Sequence, residues 1–243
     1  MLMVIFLLLL LFVPLIHLLR GVCDRGGGKH EEGMSAPVPP PLLGAGNNGE
    51  SSDSGPHTWS PPDTRELSCV LAGGGDDDST AKKYCVRDSN RKAASAALLK
   101  TVVDRCSAFV ARLAREHPHH PVAVRLAERF EPERMMESLP NSEFTAHSEN
   151  KGEKIALCLT PQKDAPSAQL IDDHTLTFVA LHELAHVGTV STEDHGDDFW
   201  RNFRYLLVCA KEQGVHEPVD YRTNPVLYCS MQINDNPFFS RKE

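Results

Sequence analysis

The feature that most limits how this chain can fold is His182-Glu183-Leu184-Ala185-His186, the H-E-x-x-H pattern, set in the run from Phe178 to Gly188. On a helix, residues four apart lie about 40° from each other around the axis, so both imidazoles project from one face. That spacing supplies two ligands of a tetrahedral zinc ion. Glu183, one residue along, reaches the ion's water without taking a coordination position. The flanks agree with a helix. Asp172, Asp173 and Thr175 are candidate N-caps, apolar residues crowd both sides of the histidines, and Gly188 suits the C′ position.

A zinc site needs a third ligand, and His195 stands nine residues after His186, beyond the glycine that ends the helix. Directly after it, Gly196-Asp197-Asp198 reads as a second helix start. Phe199, Phe203, Leu206 and Ala210 then mark one apolar face, and Gly214 closes the helix. His195 is thereby expected between two helices, with Glu193, Asp194 and Glu212 as carboxylate alternatives ranked below it. The expected site is therefore His182, His186 and His195 on Zn²⁺, with Glu183 as general base.

His-Glu-Leu-Ala-His followed at short range by His195-Gly196-x-x-Phe199-Trp200 resembles the zincin metallopeptidases of the WLM and SprT-like kind. The chain is more similar still to metallopeptidases of large DNA viruses that infect algae. In those an Asn-Lys-Gly-x-Lys strand precedes the helix, and Asp-Tyr and Tyr-Cys segments follow it. Here the matching residues are Asn150-Lys151-Gly152-Glu153-Lys154, Asp220-Tyr221 and Tyr228-Cys229, within a resemblance that runs from Phe144 to Pro237. It does not extend to the metzincins, which need Gly at 189 and His at 192; both positions are Thr.

The 243 residues suffice for one domain of ordinary size with appendages. Net charge is −8, and from Cys85 onward 19 Lys and Arg stand against 23 Asp and Glu, a balance of −4. No acidic tail masks a basic domain, so no strong nucleic-acid surface is indicated. The Arg-rich stretch 105–134 reads as a solvated helix face. Seven cysteines occur singly, without a C-x-x-C pair, and no Asn-x-Ser/Thr sequon is present. An odd count in a long chain does not read as a disulfide framework, and both observations lean toward a reducing, cytosolic setting.

Met1 to Leu19 is almost wholly apolar, broken by Pro14 and His17. About 20 apolar residues span a bilayer as a helix. A basic n-region and a small-residue cleavage site are both missing, so an uncleaved anchor over 1–20 is favoured over a cleaved leader and a secreted product. Arg20, Arg25 and Lys29 all follow the span, which by the positive-inside rule leaves the rest of the chain in the cytosol. Residues 21–83, punctuated by glycine, proline and aspartate triplets, bury too little to offset their ordering entropy and read as a disordered linker.

The domain is expected over 84–240. Ser89 is a candidate cap for a helix carrying Leu98, Leu99, Val102, Val103, Cys106, Phe109, Val110 and Leu113 at helical spacing. His117-Pro118-His119-His120 reads as an exposed loop in preference to a metal site, and Pro121 opens a shorter helix to Phe130. Residues 144–147 and 154–159 flank a polar turn and form a hairpin signal. By resemblance, the 154–159 strand is the candidate edge for pairing an extended substrate, with a purely structural hairpin as the alternative. Tyr221 and Tyr228, in the irregular segment after Gly214, read as packing residues, an oxyanion donor being the less favoured role.

The expected fold is α+β: a small zincin-like domain with a central H-E-x-x-H helix, a β-hairpin and flanking helices, preceded by an N-terminal hydrophobic helix and linker. The expected activity is zinc-dependent hydrolysis of a protein or peptide by a membrane-tethered enzyme. WLM and SprT-like relatives imply DNA-bound protein substrates, against which the membrane segment and acidic domain argue. The alternative is a non-catalytic, membrane-tethered adaptor with a structural zinc site.

Overall fold

Asp172 opens the helix on which everything else is arranged. Its Oδ1 accepts from Thr175 N at 2.7 Å and its Oδ2 from Thr175 Oγ1 at 2.8 Å. This satisfies a first-turn amide that has no partner within the helix. Of the three candidate caps, Asp172 is therefore the one used. The helix runs Asp173–Gly188 (α3) and is buried on nearly every side from Thr175 to Gly188. A helix apolar all round has to lie at the centre of a fold. The structure, a computed structural model, describes residues 67–72, 82–139, 142, 145–149, 154–163, 169–191 and 193–239. All of these fall within one compact unit, Pro40–Glu243. The apolar segment 1–19 lies outside the described residues, and among the described ones no helix is long and apolar enough to cross a membrane.

The fold is α+β. The other helices are Lys92–Glu116 (α1), Pro121–Arg129 (α2) and Asp197–Glu212 (α4). Helix α1 buries Leu99, Val102, Val103, Cys106, Phe109, Val110 and Leu113 on the expected face. Ser89 is not its N-cap: that residue is Arg91, and the Ser89 hydroxyl instead accepts from Arg91 N at 3.2 Å in the turn before the helix. Proline opens α2, as its fixed φ and missing N–H allow. At the end of α4, Gly214 takes φ 68°, and Val215 N donates back to Ala210 O at 2.8 Å, the glycine stop that the sequence marks.

Three small sheets flank the helices. Met135–Glu137 (β3), Ala146–Glu149 (β4) and Lys154–Leu157 (β5) form a sheet in the order β3-β5-β4. The hairpin signal is met by β4 and β5, which pair antiparallel with Ala146 opposite Leu157. Strand β5 is nevertheless no edge: β3 lies parallel on its other side, with Met135 opposite Ile155. The edge role expected for residues 154–159 is thus ruled out by pairing. Among the described residues the open side of this sheet's antiparallel half belongs to β4, which packs on α3.

Leu67–Ala72 (β1) and Lys82–Arg87 (β2) make an antiparallel hairpin joined by a Cys69–Cys85 disulfide. Strand β1 lies inside the stretch expected as linker, so ordered structure begins upstream of Tyr84. Val226–Tyr228 (β6) and Met231–Ile233 (β7) form a second hairpin where an irregular segment is expected, and a Cys158–Cys229 disulfide ties it to the end of β5. The isolated cysteines of the sequence are therefore partners at long range, invisible to any test of local spacing. Cys106 is a free, buried thiol.

Gly188 has a different purpose from the one its position suggests. The C-cap is Thr189, with an ordinary φ of −97°, and Gly188 is the last helical residue. A Cβ on Gly188 would stand 2.8 Å from Val122 Cγ1, so the missing side chain lets α3 and α2 approach closely. Arg125 of α2 then donates Nε to Val187 O at 2.8 Å, covering a terminal carbonyl. At the opposite end, Arg105 of α1 donates to Thr177 Oγ1 at 2.6 Å and pairs with Asp173 Oδ2 at 2.6 Å. That bond holds the Asp173 carboxyl below its usual range.

Two consequences can be measured. Gly188→Ala gains about 1 kcal/mol of helix propensity. It forces a stiff, buried valine to move, an overpacking cost of about 1–3 kcal/mol. Net destabilisation by denaturant melting is expected, relieved when Val122→Ala is added. The second consequence concerns His216, which stacks on His174 at 4.2 Å, with neither ring nitrogen bonded among the described residues. Burial, then His174 and Arg105, press its pKa down to about 3, against a small opposing pull from Asp172. The unfolded imidazole titrates near about 6.5. Below that pH the unfolded chain binds a proton that the native state refuses, so stability is full above it and falls as pH drops toward 3. The slope is about 1.4 kcal/mol per pH unit. His216→Phe should flatten this acid limb in melts taken between pH 6 and 4.

Candidate metal centre

Helix α3 carries His182 and His186 one turn apart, as the four-residue spacing requires. The third imidazole arrives by a backbone device. His195 sits in the left-handed region, φ 53°, just before Gly196 caps α4. This conformation costs a non-glycine residue roughly 1–2 kcal/mol. It reverses the chain so that the ring points back at α3. The result is a convergence of Nε2 atoms: His182 to His186 3.2 Å, His182 to His195 3.1 Å. A metal 2.0–2.1 Å from each of two tetrahedrally disposed nitrogens separates them by about 3.3 Å. The spacing therefore fits one ion bound by all three. Among the described residues this trio is the group able to hold a metal.

Burial sets the charge state. His182 is 1% exposed, and desolvation, then the neighbouring His186 and His195, holds its pKa well below the ordinary value. His195 is lowered as well, by desolvation, with Asp194 pulling the other way. Both rings are thus neutral, the form a metal ligand requires. Aromatic residues of α4 wall them in: Phe199 lies 4.8 Å from the His182 ring and 4.3 Å from that of His186, and Trp200 lies 5.8 Å from His195.

Asp194, weighed as a ligand from sequence, stands behind the ligands instead. Its Oδ2 lies 3.2 Å from His195 Nδ1 and its Oδ1 3.8 Å from His186 Nδ1. One carboxylate thereby faces the outer nitrogens of two imidazoles whose Nε2 atoms point inward, the arrangement that fixes tautomer and ring orientation. Only its position beside His195 hints at this in the sequence. His182 Nδ1 has no partner among the described residues. Glu193 is exposed and folds back over Gly196, where a Cβ would meet its carboxyl at 2.7 Å. Glu212 lies at the far end of α4 under the influence of His117 and Glu116, away from the trio. In the His117–His120 loop, His120 stacks on Tyr205 at 3.8 Å and His117 meets the same ring edge-on at 6.0 Å.

Glu183 is 1% exposed, and its Oε2 has no hydrogen-bond partner among the described residues. Burial, then the charge of Asp194, pushes its carboxyl up to about 8. An adjacent divalent cation acts in the opposite direction. A buried Glu183 oxygen without a donor among the described residues, next to three converging imidazoles, fits a site completed by a metal and its water. Tyr228, which the sequence marks as a packing residue, is fully buried with its hydroxyl accepting from Cys158 N at 3.0 Å, and burial, then the charge of Glu183, raises its pKa.

No protein-family model and no solved structure matches the chain. It is similar to an uncharacterized protein of Acanthamoeba polyphaga mimivirus, 28% identical over 160 residues that cover 64% of this chain and 79% of the relative.

Removing Asp194 should weaken metal binding without abolishing it. Partners of this kind are typically worth 10–100-fold in affinity. Competition titration of Asp194→Ala against a zinc-chelating dye is expected to show a loss of about that size at unchanged stoichiometry. His195→Ala should instead lose stoichiometric zinc.

Proposed function

We propose that the chain is a zinc-dependent metallopeptidase with a zincin-like domain, hydrolysing peptide bonds with Glu183 as general base. The observation that carries this reading is the meeting of three imidazole Nε2 atoms beside the buried Glu183, whose Oε2 has no hydrogen-bond partner among the described residues. A closed structural zinc site has four protein ligands, whereas this group has three, which favours the peptidase over the adaptor. A zinc ion there supplies a Lewis acid that polarises a carbonyl and brings the pKa of water to about 7. Asp194 keeps two of the imidazoles oriented, Phe199 packs on all three rings, and Phe203 packs on His182. Glu183 takes the proton of the attacking water and returns it to the leaving amine. The extended substrate pairs with the open side of β4, in place of the 154–159 strand, and runs alongside α3.

Charge and fold together favour a general protein or peptide substrate over a DNA-bound one. The decisive variant is Glu183→Gln, which keeps shape and loses the proton acceptor. A positioned general base contributes about 10²–10⁴-fold in rate. Glu183→Gln is expected to bind one zinc, to melt at or above the wild-type temperature because a buried charge is gone, and to hydrolyse a peptide library at least about a hundredfold more slowly. Chelator-sensitive hydrolysis at the wild-type rate by this variant would assign the base to another residue. Absence of hydrolysis by the zinc-loaded wild type would return the adaptor.

A further inference from the structure

Strands β6 and β7 are joined by the two-residue turn Cys229-Ser230, and both residues are left-handed, with φ 49° and 66°. Tight hairpin turns need positive φ at both centres and usually place Asn and Gly there. A non-glycine residue held this way costs about 1–3 kcal/mol and persists where its surroundings over-determine it. Here the surroundings do so. Cys229 Sγ is bonded to Cys158, Cys229 N donates to Thr160 O at 3.0 Å, and Ser230 N donates to Pro161 O at 2.8 Å. Ser230 Oγ accepts from Lys163 N at 3.0 Å.

The residue entering this turn is Tyr228. Its hydroxyl accepts from Cys158 N, the amide of the very residue to which the turn is cross-linked. The disulfide and this hydrogen bond close a small ring at the end of β5, the strand that packs on α3. Tyr228 is fully buried behind this cross-link, where its hydroxyl feels the charge of Glu183 on α3. The cross-link itself is shielded, with Cys158 at 0% and Cys229 at 1% exposure.

We propose that Tyr228 is a positioning residue of the metal centre, that the Cys158–Cys229 disulfide seats it, and that the site becomes competent only by oxidative folding. This rests on the peptidase reading. Without the bond, the strained turn relaxes toward ordinary φ and the phenol leaves Cys158 N, freeing the wall beside Glu183. The bond forms by exchange. One cysteine thiolate displaces a thiol from glutathione disulfide, and the second displaces the other, so two protein thiols are oxidised as one donor disulfide is reduced to two thiols. Burial makes this a maturation step, not a reversible switch. In the folded domain Cys106 is a free thiol, fully buried and pushed up to about 12, which keeps it out of later exchange. With Cys69–Cys85 as a second cross-link, the domain belongs on the oxidising side of a membrane, opposite to the side that Arg20, Arg25 and Lys29 alone suggest.

The test refolds the full chain with Zn²⁺ or Co²⁺, either with glutathione disulfide or with a phosphine reductant that leaves the metal in place. Bond status is mapped on peptides. The oxidised wild type should hydrolyse peptides, and reduction should lower kcat at least about tenfold and alter the visible Co²⁺ spectrum at unchanged metal stoichiometry. Cys158→Ser with Cys229→Ser should behave like the reduced wild type, and Cys69→Ser with Cys85→Ser like the oxidised one. Tyr228→Phe needs no change of cross-link and leaves Cys158 N its second acceptor, Thr145 O at 3.2 Å. It should lower kcat with little change in KM, shift the Co²⁺ spectrum and melt near wild type. Full activity with an unchanged spectrum in the reduced protein or in Tyr228→Phe would overturn the proposal. If the oxidised protein cleaves no peptide, the peptidase reading fails separately. The spectrum then decides: a shift on reduction supports the seating role, and no shift overturns it.

Discussion

Everything in this domain depends on keeping water away from three imidazoles that face one another at about 3 Å. Solvated histidines so close would drift apart or share protons with water. Here desolvation fixes His182 and His195 as neutral donors. The remaining elements supply that desolvation. Helix α3 is surrounded by α1, α2, α4 and the β3-β5-β4 sheet, and α4 lays Phe199 and Phe203 against the ligand rings. Polar demands at the helix ends are met from neighbouring elements, by Arg105, which donates to Thr177, at one end and Arg125 at the other. The interior of α3 is left to apolar contacts and to the site.

The sequence exposes what repeats at short range. Four-residue spacing puts His182 and His186 on one helix face, an Asp-rich start and a glycine stop bound α4, and the apolar face of α1 is readable residue by residue. His195 is legible as a ligand because it follows a helix end at a distance the chain can fold back across. What stays hidden is set by contacts between distant residues. Two described cysteine pairs are 16 and 71 residues apart. Gly188 looks like a helix stop, and its true constraint, the closeness of Val122, belongs to tertiary packing. Strand β5 reads as an available edge until β3, from upstream, pairs with it in parallel.

Asp194 shows how position and function part company. A carboxylate beside a candidate ligand histidine is itself a natural candidate ligand, since Coulomb attraction to a cation grows as the two approach. Geometry decides: with the Nε2 atoms turned inward, the space beside the Nδ1 atoms remains, and the carboxylate settles there. The left-handed His195 makes this possible by presenting residues 194 and 195 on the same side of the turn.

The neutrality of the buried ligands also fixes the proton traffic of metal capture. A solvent-exposed imidazole cluster has to shed protons before it binds a cation, so its affinity decays as the medium acidifies through the titration range of free histidine. His182 and His195 have already surrendered theirs to burial when the chain folds. Uptake at these two positions releases almost no acid.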